Sequence, residues 1–208
     1  MDKAENTEVK ILRAASQIFH QKGFNGSRMQ EIADLAGINK ALLHYYFRNK
    51  ETLFENVFNE TFSQIVSKMK EIFLSDLTLQ SKIKVFVDFY LNFIAEHSYI
   101  IHFIINAIHE KPESFIEIIQ KHNLTPELFL EKIRKQLKEE MNLDIDPLHI
   151  YVNIIALTIF PVAAKPLLQV IFSYSDEKMA LFFEERKKLV PTFIENALKG
   201  YEKNKIPF

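Results

Sequence analysis

The chain has no cysteine and no tryptophan, and only four glycines among its 208 residues. Without cysteine there is no disulfide framework, no thiolate metal site and no cysteine nucleophile, which fits a reducing, cytoplasmic setting. Four glycines fall well below the usual share of about 7%. Hairpins and tight sheet turns draw on glycine for positive φ, so a hairpin-rich β fold is excluded. The same shortage leaves no Gly-rich loop to cradle a phosphate, and we read no cofactor motif. The first residues, MDKAENTEVK, are polar and lead into no apolar signal core. The most apolar stretch, Ile150 to Ala164, holds Asn153, Thr158 and Pro161 and ends at Lys165. It is too short and too polar for a span of about 20 residues, so we expect no membrane association.

What is present is helical. Apolar residues recur at threes and fours, as in Ile11, Ala15, Ile18 and Phe19 or Val85, Phe86, Phe89 and Phe93. Thr125-Pro126 and Asp146-Pro147 each set a capping side chain before a proline at a first helical position, and Ser98 and Ser175 are further caps. The pattern predicts helices at 4–22, 28–36, 39–46, 49–74, 79–97, 99–110, 113–121, 126–141, 147–172 with a break near Pro161, and 176–200, where Gly200 stops the last. The fold class is all-α. Charge is uneven along it: net charge is −1, but residues 1–50 carry +3 and the remainder −4. A basic first quarter points toward nucleic acid.

The sharpest signal is SRMQEIADLAGINKALLHYYF, residues 27–47. Ser27 and Gln30 have the spacing of a capping box. Ile32, Ala33 and Ala36 form the inner face of a short helix, Gly37 ends it in a sharp turn, and Asn39 caps the next. A small residue at the crossing, a turn glycine and an apolar plug at Leu43 make a helix-turn-helix. On the second helix Leu43 and Phe47 share one face, Ala41 and Tyr45 point opposite, and Leu42 and His44 flank them. Such an outward face suits a major groove, where apolar groups touch thymine methyls and a phenol or imidazole bonds to base edges or phosphates. Arg28, Lys40, Arg48 and Lys50 surround it and supply phosphate contacts.

Residues 11–58 resemble the N-terminal domain of the TetR family of bacterial transcriptional regulators. The resemblance rests on Ala15, Phe19, Gly23 and Phe24 in the first helix, Ser27 and Ile32 to Ile38 through the turn, and Tyr46, Phe47, Lys50 and Glu51 after it. It implies phosphate contacts from Ser27, Tyr46 and Lys50, and groove contacts from Lys40, Ala41, Leu42 and Tyr45. The chain departs from the family where it has His44, usually Tyr, and Leu42, often Ser or Thr, so a preferred DNA sequence does not transfer. The resemblance further implies two domains: residues 1–48 for DNA and residues 49–208, a larger helical part that binds a small ligand and dimerises through its last two long helices.

In that second part, Met179, Phe183, Arg186, Val190, Phe193 and Ala197 form a seam, and Phe160 and Leu167 belong to the preceding apolar surface. Two such helices from each of two subunits would build a four-helix bundle. Sixteen of the nineteen phenylalanines lie after residue 50. Aromatics mixed with polar groups suit an apolar pocket, with Phe89, Tyr90, Phe93, His102, Phe103, Asn106, Phe129, Tyr151 and Asn153 as candidates. His102 and His109 are too far apart on a helix to hold a metal without further ligands, so no metal site is expected. The sequence thus points to a ligand-responsive regulator, a repressor that binds a near-palindromic operator as a homodimer and leaves it on taking up a small apolar or amphipathic ligand. A helix starting near Asn49 would link pocket to DNA. The rivals are an all-helical carrier of small molecules whose DNA-binding domain no longer functions, and an enzyme, for which no nucleophile-base arrangement is visible.

Overall fold

The computed structural model describes residues 6–97, 99–101, 104 and 113–204, and among these every regular element is a helix. The expected segment 99–110 and the Ser98 cap fall largely or wholly outside the described residues. The first three helices are α1 (Thr7–Gly26), α2 (Met29–Leu35) and α3 (Lys40–Tyr46). α4 (Lys50–Leu74) follows, 25 residues long and so about 37 Å. The rest is α5 (Leu79–Glu96), α6 (Glu113–Lys121), α7 (Pro126–Met141), α8 (Pro147–Ala163), α9 (Lys165–Phe172) and α10 (Asp176–Asn204).

Capping follows the sequence at most starts. The side chains of Asn39, Asn49, Thr125, Asp146 and Ser175 accept from backbone N–H groups in the first turns of α3, α4, α7, α8 and α10. The ends are less ordinary. Asn123, Asn142 and Ser173 take left-handed φ of 51–52° where glycine is the usual choice. After α7, for example, the N–H of Asn142 donates to the Lys138 carbonyl and that of Leu143 to the Leu137 carbonyl. A glycine-poor chain closes these helices with residues that tolerate the left-handed region. Gly200, expected to stop the last helix, lies inside α10. The break expected near Pro161 falls at Ala164 instead, and α9 turns away from α8 by 64°. Pro166 then sits in the first turn of α9, where its missing N–H costs no hydrogen bond.

One apolar core runs through the molecule. The inward stripe of α1 (Ile11, Ala15, Phe19) meets Ile32, Leu43 and Phe47, and the N-terminal half of α4 closes it with Leu53, Phe54 and Phe58. Phe19 meets Phe54 edge to face at 4.7 Å between ring centres. The C-terminal half of α4 packs against α5, α6 and α7, while α8 and α10 cover the far side of α5. Lys82 is buried where α4, α5 and α7 converge, and its ammonium donates to the Phe73 carbonyl and to Gln136 Oε1. Burial pushes its pKa down. Among the described residues no single helix is long and apolar enough to cross a membrane; α8 and α9 qualify only as a bent pair.

Candidate nucleic-acid interface

The helix-turn-helix forms as its spacing requires. Gly37 adopts φ 68°, and the Ile38 N–H donates to the Ala33 carbonyl across the turn. Ile32, Ala33, Leu43 and Phe47 are buried, which fixes α3 by its inner face. Lys40, Ala41, Leu42, His44, Tyr45 and Tyr46 are then exposed, and Tyr45 reaches 82%. The Tyr45 and Tyr46 rings stand at right angles, 5.7 Å apart. Exposed Arg28 and Arg48 flank this face, and α3 carries no acidic residue. His44 is tied back: its Nδ1 lies 3.1 Å from the Arg48 carbonyl oxygen.

Three expectations change here. Ser27 is buried and its hydroxyl donates to the Phe24 carbonyl at 2.7 Å, so it does not present itself to a phosphate. Nor does it form a capping box: α2 starts one residue later, with Arg28 at its cap and no side-chain cap bond, and Gln30 bonds to Asp34. Lys50 also turns inward. Its ammonium donates to the carbonyls of Phe24 (2.8 Å) and Ser27 (3.2 Å) and lies 4.3 Å from the centre of the Phe24 ring. The break at Gly23 (φ 66°) is what swings these carbonyls toward α4. Lys22 pairs with Glu31 at 2.8 Å, bracing α1 against α2 and holding the Glu31 carboxyl below its usual range.

Sequence reasoning missed the junction above this domain. Tyr99 is buried, and its hydroxyl lies 3.0 Å from Ser16 Oγ of α1 and 3.4 Å from Thr61 Oγ1 of α4. Thr61 already donates to the Val57 carbonyl, so toward Tyr99 it accepts. His97 lies tilted by 41° against Phe93 of α5, 4.4 Å between centres, and faces Tyr99 edge-on. Its Nδ1 is buried with no hydrogen-bond partner among the described residues, and burial holds the imidazole below its usual range. A single aromatic in an apolar run gives no sign that it will bridge two distant helices.

The pocket candidates separate. Phe89 and Phe93 line an open groove of about 1050 Å³ between α5 and α10, rimmed by Lys68, Lys84, Lys187 and Lys188 together with Asp88, Glu96 and Glu184. Tyr90, Phe129 and Tyr151 sit in or against the core; the Phe129 and Tyr151 rings meet at 5.3 Å, and burial pushes the pKa values of the Tyr90 and Tyr151 phenols up. Asn153 is exposed on the outer face of α8 beside Val152 and Ala156, so it belongs to no pocket with them. His102, Phe103 and Asn106 lie outside the described residues.

The proposed dimer face is also redrawn. Phe160, Leu167, Phe193 and Ala197 are exposed, with Phe160 at 64%. Met179 (1%) and Val190 (0%) are buried within the chain and face no second subunit. Phe183 is half-buried against the core, and Arg186 donates to the Leu157 carbonyl, fastening α10 to α8 within the chain. The sequence missed Val152, Val170, Ile171, Phe172, Leu181 and Leu189, all exposed on α8, α9 and α10.

Residues 11–57 match the family model for bacterial regulatory proteins of the TetR family. The chain is 40% identical over 76 residues to the probable transcriptional regulator YttP of Bacillus subtilis, covering 36% of each protein. It is 37% identical over 70 residues to the transcriptional repressor NicS of Pseudomonas putida, covering 32% of this chain and 33% of that one. These matches span about a third of the relatives' length. The fold is shared much further. A TetR/AcrR-family regulator from Thermobifida fusca superposes with a TM-score of 0.62 over 90% of this chain and 97% of its own, at 18% identity. FadR of Bacillus subtilis, in complex with stearoyl-CoA, gives 0.56 over 88% and 96%, also at 18%. The helix-turn-helix is thus matched in sequence, and the helices as a whole in fold, by bacterial regulatory proteins of the TetR family.

Proposed function

We propose that this protein is a ligand-responsive, DNA-binding transcriptional regulator of the cytoplasm, a repressor that binds a near-palindromic operator as a homodimer and is released by a small apolar or amphipathic ligand. Residues 1–48 are its DNA-binding part and residues 49–208 its ligand-binding and dimerising part. The observation that carries the reading is α3, held by Leu43 and Phe47 while Tyr45 and its neighbours stand free. A helix that exposes Ala41, Leu42 and Tyr45 among basic side chains and no acidic one is built for a groove rather than bulk water. Arg28, Lys40, Arg48 and the Tyr46 hydroxyl take the phosphates, and Ala41, Leu42 and Tyr45 take the groove.

Dimerisation is supported by the exposed apolar face of α8 to α10, where Val170 reaches 79%. Two copies related by a dyad offer two recognition helices to a palindrome. The amphipathic ligand class is supported by the groove along α5 and by FadR, a protein of this fold bound to stearoyl-CoA; repression is supported by NicS. Just past α5, His97 packs on Phe93 and on Tyr99, and Tyr99 bridges α1 and α4, so a ligand that shifts α5 changes the setting of the recognition helices. Release then equals the ligand's preference for the misaligned dimer. The test is a salt-dependent mobility shift on the DNA upstream of the gene. Tyr45→Ala is expected to abolish the shift while leaving thermal stability unchanged, because so exposed a side chain contributes little to folding. A shift that survives Tyr45→Ala refutes the assignment of α3.

A further inference from the structure

We propose that His44 reads a base, selecting adenine or cytosine through the lone pair on its Nε2; the inference rests on the DNA-binding reading above. His44 is exposed on α3 between Leu43, which is buried, and Tyr45, which points outward. Its Nδ1 sits 3.1 Å from the Arg48 carbonyl oxygen, in the turn that follows α3. A carbonyl only accepts, so Nδ1 carries the hydrogen. The neutral imidazole has one N–H, and Nε2 is left as a bare acceptor at the free end of the ring.

That assignment decides what the ring can bind. A phosphate oxygen has no hydrogen to give, so neutral His44 makes no hydrogen bond to the DNA backbone. In the major groove guanine and thymine present acceptors at O6, N7 and O4, which repel the lone pair. The donors there are the N6 amine of adenine and the N4 amine of cytosine. The bond to Arg48 therefore turns a residue able to serve as a phosphate ligand into a selector of amino bases. It also fixes the ring plane, so the lone pair is oriented before DNA arrives.

The experiment is selection from a random DNA library by the purified full-length protein at neutral pH, repeated with His44→Phe and His44→Arg. The wild type is expected to enrich a site with adenine or cytosine at one position in each half. His44→Phe loses discrimination at that position by about 3- to 10-fold and keeps it elsewhere. It also leaves the salt dependence of binding unchanged. His44→Arg moves the preference at that position to guanine, a gain that a misfolded protein cannot produce. The inference is overturned if His44→Phe keeps every base preference. It is equally overturned if that variant weakens all sequences alike and lowers the salt slope by about 0.9 per copy, the mark of a lost phosphate contact. A wild type that enriches no sequence overturns the DNA-binding reading itself, and this inference with it.

Discussion

Replacing Lys50 by methionine distinguishes a lysine that holds phosphate from one that holds the domain together. The ammonium makes two hydrogen bonds to backbone carbonyls, 2.8 and 3.2 Å long, and lies 4.3 Å from the Phe24 ring centre. A hydrogen bond to a charged group contributes about 1.5–3 kcal/mol, and a partly exposed cation–π contact about 0.5–1 kcal/mol. The side chain is half-buried, and Ser27 Oγ still donates to the Phe24 carbonyl after the change, so the low end of each range applies. The expected loss is at most about 3.5 kcal/mol, with methionine keeping the apolar stem. At about 2–4 °C per kcal/mol for a chain of this size, the midpoint falls by up to about 7–14 °C. Thermal or urea unfolding measures it directly. DNA binding from about 50 to 200 mM salt supplies the second readout, since each phosphate contact contributes about 0.9 to the slope. With two copies on an operator, a phosphate role predicts a slope lower by about 1.8, and a bracing role predicts none. Unchanged stability together with that lower slope would refute the reasoning.

The remaining predictions concern the turn, the junction and the dimer face. Gly37→Ala meets no atom within 4 Å of the new Cβ, so its cost is the left-handed φ alone, about 1–2 kcal/mol by urea unfolding; Gly37→Asn should lose clearly less, and equal losses would point to sterics instead. Burial holds the His97 pKa below its ordinary 6.5, so the unfolded chain takes up a proton there before the folded one does. Stability should therefore fall as pH drops through 6.5 toward the depressed folded value and fall no further from this source below it. Unfolding curves at about pH 7.5 and 5.5 should converge in His97→Phe, which keeps a ring against Phe93; an undiminished pH dependence in that variant removes His97 as the cause. Phe160→Glu places a charge on the exposed face of α8 and should weaken self-association at least about a hundredfold in sedimentation with protomer stability intact. A variant that sediments as the wild type does moves the interface elsewhere.

Much of this protein was legible because a helix of period 3.6 sorts its residues by face. Leu43 and Phe47 had to lie together, Ala41 and Tyr45 opposite, and the turn at Gly37 between two short apolar stripes left little freedom in how they cross. The caps at Asn39, Thr125 and Asp146 were legible too, since their bonds span two or three residues.

Tertiary structure decided the features whose partners are distant in sequence. Lys50 and Ser27 turn inward because the break at Gly23 carries the Phe24 carbonyl to the start of α4, 26 residues on. Tyr99 finds Ser16 across 83 positions. α10 is apolar on two sides, and periodicity identifies both without saying which one the chain covers itself: Met179 and Val190 are buried within the chain, and Leu181, Leu189 and Phe193 are left out. The scarcity of glycine was a property of the sequence alone and excluded hairpins. That Asn123, Asn142 and Ser173 close helices in the left-handed conformation is seen only in the fold, because these side chains, unlike glycine, do not mark a left-handed position in the sequence.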